Sequence, residues 1–418
     1  MSAALVVLVA SALAGEWDWN AGVDATTRGG VTPIAAGIDP ISQVRVEAEP
    51  RLGVTYTSGR SELALTYRPR IVQRFLLAPI TDLRGVTRTA TLTGPLVMNQ
   101  LDLGGHLQAT RRVRLDSGVS VGFGTLAYND AALFGSRDPA NPGPSTDATV
   151  LEVQARASIA YVTDADRDTL RFGVIGSVNR IIDDLPATVG AADRTRINGF
   201  ASYTFNPSRV DAIELAATTE VALYEQDPSA PPLLTNQTSV VGVTGGWIRT
   251  FSRRVRCAAR GGAVALFSAG DPSFAPSGGA DCTIDTYRSA GLRVTGAFAA
   301  SVIGSTSAVT AAAEPRILSS LDFRFMFPPD KGLRIAASFT APIRVDPASA
   351  PPPEVSDAVF ELTVPFSWQV QPGLDVIVGA GFGVRGRLDG NFDQIDAQGF
   401  AQLAWSYDSA GNSRYQRP

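Results

Sequence analysis

The sequence predicts an all-β fold: a transmembrane, antiparallel, up-and-down β-barrel of about 18 strands, with about 16 as the alternative count. Three observations carry this. The first is strict alternation. Between Val150 and Ile182, Leu151, Val153, Ala155, Ala157, Ile159 and Tyr161 share one face, and Glu152, Gln154, Arg156 and Ser158 share the other. Successive strand side chains point to opposite faces, so the pattern describes a strand between two very different environments. After a polar turn at Asp164, Asp166 and Asp168 it resumes, with Leu170, Phe172, Val174 and Val178 against Arg171, Ser177 and Asn179. The second is length: each arm runs about a dozen residues, where soluble strands usually run five or six. Such arms suit tilted strands of about 9–11 residues or more crossing a bilayer. The third is rhythm, because tight turns and long connections alternate along the whole chain.

Composition agrees. Of 418 residues, 44% are hydrophobic and 18% charged, and mean hydropathy is +0.07. Beyond the N-terminus, no apolar run reaches the roughly 18 residues that a membrane helix needs. The 40 glycines and 27 prolines are spread along the chain, as many strands and turns require. A net charge of −4 gives no basic footprint, so nucleic acid is not an expected partner.

Residues 1–14, MSAALVVLVASALA, read as a signal peptide: an apolar core without alternation, ending in the small-x-small pattern Ala12-Leu13-Ala14. No Lys or Arg precedes that core. The barrel is then expected over residues 15–407, with a periplasmic tail at 408–418.

Taken in order, EWDWNAGVDA is a first strand with Trp17 and Trp19 placed like interfacial aromatics, followed by a loop from Thr26 to Ser42. QVRVEAEPRLGVTYT turns at SGRS into ELALTYRPRIVQRF, and the longest loop runs from Leu76 to Pro95. MNQLDLGGHLQAT returns as VSVGFGTLAY, with a loop from Asn129 to Asp147 before the hairpin already described. A loop from Asp183 to Arg194 leads to TRINGFASYTF and AIELAATTEVALYE. SVVGVTGGWIRTF and VRCAARGGAVALF follow, then a loop from Ser268 to Gly279. ADCTIDTY pairs with LRVTGAFAASVIG, PRILSSLDFRFMF with LRIAASFTAPIRV, and AVFELTVPFSW with LDVIVGAGFGVRGR. GFAQLAWSY closes the series. The hairpin period of about 43 residues also suits a propeller blade, but blades need four short strands and a recurring signature, both missing here. Cys257 falls near one end of its strand and Cys282 near the other end of the next. At ~3.3 Å per residue that separation is too long for a bridge, so two unpaired thiols are expected.

This alternation and loop rhythm, over nearly all the mature length, resembles the bacterial outer-membrane β-barrel, porin-like class. In that class strand numbers are even, turns are short on the periplasmic side and loops longer outside. The resemblance therefore implies outer-membrane location with both termini periplasmic. The closing strand GFAQLAWSY, with Leu403, Trp405 and Tyr407 on one face, is similar to the class's terminal sorting signal. The tail DSAGNSRYQRP departs from it by following that strand.

An arginine facing mid-bilayer costs about 2–4 kcal/mol, so the charged face must point inward. The expected channel lining comprises Arg45, Glu47, Glu49, Arg51, Arg68, Arg70, Asp102, His106, Glu152, Arg156, Arg171, Glu214, Arg324, Arg334, Arg344, Glu361, Arg385 and Arg387. Arg256, Arg260, Arg316, Glu220, Asp322 and Asp375 share its parity. That many charges stay ionised only with water or partners nearby. A barrel of about 16–18 strands is wide enough for an aqueous channel. The arginine excess suits small hydrophilic solutes with a mild preference for anions. The alternative is a braced, plugged or narrow barrel with a structural, adhesion or assembly role through its outer loops.

His106, the single histidine, shares a face with Asp102. Barrel lipases act at the lipid face, whereas His106 points inward, so no enzyme is expected. No HExxH, CxxC, phosphate loop, EF-hand or GxSxG motif occurs, and no metal or other cofactor is expected. The expected partners are outer-membrane lipid and small solutes. The apolar residues Leu76, Leu77, Ile80, Leu83 and Val86 of the longest loop would pack in the lumen or on a neighbouring subunit of a homo-oligomer.

Overall fold

The computed structural model describes residues 15–32, 41–76, 80–81, 87–88, 95–127, 147–163, 168–182, 193–225, 236–268, 272–289, 292–306, 313–328, 330–343, 358–386 and 392–408. The expected signal peptide and the tail beyond Asp408 lie outside them, as does most of the Leu76–Pro95 loop. The elements are β1 (Glu16–Thr32), β2 (Ile41–Thr57), β3 (Ser61–Leu76), β4 (Ile80–Thr81), β5 (Thr87–Arg88), β6 (Leu96–Gln108) and β7 (Val113–Ala127). Then come β8 (Asp147–Val162), β9 (Thr169–Ile181), β10 (Asp193–Phe205), β11 (Asp211–Glu225), β12 (Gln237–Ser252), β13 (Val255–Phe267) and β14 (Ser273–Ser289). The last six are β15 (Leu292–Thr306), β16 (Ala313–Phe327), β17 (Lys331–Pro342), β18 (Ala358–Gln371), β19 (Leu374–Gly386) and β20 (Phe392–Asp408).

β4 and β5 form a two-stranded ribbon of their own; the other strands make one 18-stranded antiparallel sheet. Each pairs with its neighbours in sequence, β3 passing on to β6. The ring closes where β20 pairs with β1, from Asn20↔Asp408 to Val31↔Ala397. Closure matters because in lipid every backbone N–H and C=O needs a partner, and a barrel leaves no open edge. β1 runs on through Thr26–Thr32, expected as loop, because β2 and β20 both offer ladders there.

The outer face is an apolar belt, well shown along β11. Asp211 and Glu225 bracket the outward residues Ile213, Leu215, Ala217, Thr219, Val221 and Leu223. From Ile213 to Leu223 the strand rises on the order of 33 Å. Tilted by ~40°, that is about 25 Å of height, the thickness such belts have. Among the described residues, outward charges sit only at the belt's edges. Arg180 joins Asp193 at 2.9 Å and also Glu225 on the long-connection side. On the tight-turn side Arg249 lies 5.6 Å from the Trp247 ring, whose Nε1 donates to Asp211 at 3.1 Å. All five tryptophans, Trp17, Trp19, Trp247, Trp368 and Trp405, lie on the outer face near the tight-turn rim. They form one aromatic girdle, as interfacial rings do. Trp17 packs at a tilt against Tyr56, ring centroids 4.9 Å apart, and Trp19 against Tyr407 at 5.2 Å.

Two features correct the sequence reading. Cys257 and Cys282 are not free: they stand directly opposite each other in the β13–β14 ladder, Cα atoms 4.1 Å apart, and form a disulfide. The expectation failed because residues 273–278, SFAPSG, looked like loop. They pair with β13 from Ser273↔Leu266 onward, so β14 starts earlier and Cys282 lies deep within it. By parity with Phe298 across β15, the bridge lies on the outer face.

The second feature is a fold in the wall. β15 leaves β14 after Val302 but stays paired with β16 up to Thr306↔Ala313. This hairpin end bends into the barrel, so β15 touches β12, three places away in the ring. Its outward-parity face, with Gly304 and Ala313, lies on the inward side chains Val240, Val264, Leu266 and Ala275, which form a dry cluster. A methyl group on Gly304 would sit 2.6 Å from Val240 Cγ1 and Val264 Cγ2, so only glycine allows this approach. The Ala313 N–H donates to Ser268 Oγ at 2.7 Å and pins the hairpin to the end of β13.

Candidate functional site

The inner face is where the charges converge, and cross-strand register builds it. Residues directly opposite in an antiparallel pair share a face about 4.5–5.5 Å apart, within reach of arginine. On β2 and β3, Glu47 accepts from Arg45 Nη2 at 3.0 Å and from Arg70. Arg68 grips Asp102 of β6 through Nε at 3.0 Å and Nη2 at 2.7 Å, and Gln100 Nε2 donates to the other oxygen at 3.0 Å. Arg51 approaches Asp24 of β1 at 3.6 Å. Further round, Arg260 bridges Glu214 at 2.9 Å and Asp281. Arg196 and Arg194 share Glu220. Arg324 and Arg334 share Asp322 at 3.2 and 2.8 Å, and Arg316 pairs with Glu314 at 2.8 Å on the inserted hairpin.

Arg156, Arg171 and Arg256 differ. They lie on this same face, exposed, and have no carboxylate partner among the described residues. Glu49, Glu152 and Glu361 hold inner register positions on β2, β8 and β18. Asp375 of β19 is buried. Arg385 holds an inner register position in β19, opposite Val359. Arg344 and Arg387 lie outside the described residues.

His106 stands opposite Glu62 and Asp116 on the inner face. Asp102, which shares its face, is taken up by Arg68 and Gln100. Among the described residues, no cluster of three or more His, Cys, Asp or Glu side chains could hold a metal.

Sequence reasoning missed Asp24, Arg194, Arg196 and Asp281 as partners. Asp281 stands in the expected strand ADCTIDTY but was not assigned to the charged face. Arg194 and Arg196 alternate with Asn198, a signal too short to stand out beside a loop.

One cavity is cut into the inner wall between β2 and β8, about 470 Å³ in volume, with Arg51, Arg68, Asp102, Ser120, Gln154 and Arg156 around it. Its floor is glycine: Gly104 faces Gly118, and Gly118 faces Arg156. A methyl group on Gly118 would lie 3.0 Å from Arg156 Nε, and one on Gly104 would lie 4.0 Å from Arg156 Nη2. The guanidinium thus lies along a strip where no side chain stands.

A closed 18-stranded ring, an apolar belt with charges at its edges and an ionic interior together define an outer-membrane-type β-barrel. Among solved structures the chain is similar to the FrpB iron transporter from Neisseria meningitidis. The F3-3 variant matches with a TM-score of 0.52 and 8% identity over 93% of this chain and 81% of that one. The F5-1 variant gives 0.51 and 9% over 94% and 82%. At these identities the likeness is one of fold. No family model and no curated protein matches the sequence.

Proposed function

We propose that this chain is an exported outer-membrane channel through which small hydrophilic solutes diffuse passively, anions somewhat more readily than cations. The observation that carries the reading is the ionic inner wall of a closed ring. The anion preference draws on Arg156, Arg171 and Arg256, which are exposed on that wall with no carboxylate partner among the described residues and outnumber the exposed acids Glu62 and Glu361 there. An ion entering a water-filled barrel keeps most of its hydration, so fixed charge biases its passage. Paired arginines contribute little field, so the unpaired charges of both signs set the bias, the exposed arginines being in excess. In this reading the belt meets lipid, the tight turns and both termini face the periplasm, and the long connections face outward.

Planar-bilayer recording tests it. The full chain should give steady current in KCl, and a KCl gradient should give a reversal potential of anion-selective sign. Absence of current refutes the channel, and cation selectivity refutes the bias. A second reading, a narrow barrel acting through its outer connections, draws support from the β15–β16 hairpin inside the lumen. Recording separates the two.

A further inference from the structure

We propose that the cavity between β2 and β8 is a binding site for a small polyhydroxylated solute carrying one oxyanion, with Arg156 receiving the negative group. The proposal rests on the channel reading and names the solute class that such a channel would favour.

Charge accounting singles out Arg156. Arg68 is occupied, since both its Nε and Nη2 donate to Asp102 Oδ2. Asp102 in turn is satisfied by Arg68 and by Gln100, so it opposes an incoming anion only weakly. Arg51 has Asp24 at 3.6 Å. Arg156 alone brings uncompensated charge to the cavity. Its planar fork presents several N–H donors in a geometry that matches a carboxylate or phosphate.

The floor makes room for the ligand. Gly104 and Gly118, opposite each other, leave the strip under the guanidinium without side chains. A side chain at Gly118 would lift Arg156 off the wall or fill the space beside it. Neutral hydrogen-bonding groups line the same cavity: the Gln154 amide, the Thr66 hydroxyl and the Ser120 hydroxyl, the last already accepting from Gln100 Nε2 at 3.3 Å. Donors and acceptors of this kind suit hydroxyl groups. The polar content of the wall excludes an apolar ligand, and a volume of about 470 Å³ suits a solute of sugar size.

The test is isothermal titration calorimetry on the full chain in detergent micelles, with gluconate as probe, sorbitol as its neutral counterpart and inorganic phosphate as an oxyanion without hydroxyls. Gluconate should bind more tightly than either, because it alone uses both the cation and the neutral groups. Arg156→Gln should weaken gluconate roughly tenfold or more, the loss expected for a charge-assisted pair. Gly118→Leu, which keeps the arginine but fills the floor, should weaken it similarly. Arg171→Gln, an unpaired arginine outside the cavity, should change it by less than about twofold. Absence of gluconate binding, or binding unchanged in both Arg156→Gln and Gly118→Leu, overturns the site. Equal affinity for sorbitol overturns the role of the charge. A wild-type chain that carries no KCl current yet binds gluconate through Arg156 refutes the channel and leaves the site standing. A conducting barrel with no such binding does the reverse.

Discussion

Removing the bridge between Cys257 and Cys282 should destabilise the barrel by an amount that the register sets. The two residues are 25 apart in sequence and directly opposite in the ladder. The chain-entropy relation for closing a loop of that length gives about 3.5 kcal/mol at room temperature. The double substitution Cys257→Ala/Cys282→Ala removes the constraint and leaves two small apolar side chains on the lipid face. Both proteins would be unfolded with urea from lipid vesicles. Fluorescence of the five girdle tryptophans would follow the transition, since each loses its interfacial surroundings when the wall opens. The variant's midpoint should fall, with an unchanged denaturant slope, by the equivalent of about 3.5 kcal/mol. Coincident midpoints would refute the reasoning. So would maleimide labelling of the unfolded wild-type chain without reductant, which would mean that the thiols had never joined.

Three other perturbations have expected outcomes. Gly304→Leu places a side chain where Val240, Val264 and Leu266 already stand, so the hairpin end should lift off the wall at about 1–3 kcal/mol. Single-channel conductance should then rise, and unchanged conductance and stability would count against the inserted hairpin. Asp322→Asn releases Arg324 and Arg334 together; their pairs are partly solvated, so stability should fall by only about 1 kcal/mol while the reversal potential moves toward anions. Val119, 44% exposed in the belt, should tolerate arginine at a cost of about 2–4 kcal/mol, measured by unfolding from vesicles. Its inward neighbour Ser120 should accept arginine for less than about 1 kcal/mol, and equal costs would mean that the two faces are misassigned.

How much of this was legible in the sequence follows from what sets each feature. Alternation in Val150–Ile182 reports a two-faced environment directly, so strand identity and the inward parity of Arg45, Glu47, Asp102, Arg156 and Asp322 could be read without coordinates. Strand ends could not. Residues 273–278 and Thr26–Thr32 carry weak or turn-like local signals, and they are strands because neighbouring ladders extend beside them. The disulfide was missed for that reason alone, since a shift of several residues in one strand's start moved Cys282 away from its partner. The pairing of arginines was also hidden, because it depends on which side chains stand opposite across the ring. So was the inward turn of the β15–β16 hairpin, for Gly304 looks like any strand glycine until Val240 and Val264 are placed beneath it.

In the channel reading, that hairpin gives the pore a lopsided doorway. It fills the sector of the long-connection mouth in front of β12 and β13, while the glycine-floored cavity opens a third of the way round the ring, between β2 and β8. In the same reading, a solute arriving from that end is steered off the barrel's axis, toward the half of the circumference where Arg51, Arg68 and Arg156 stand.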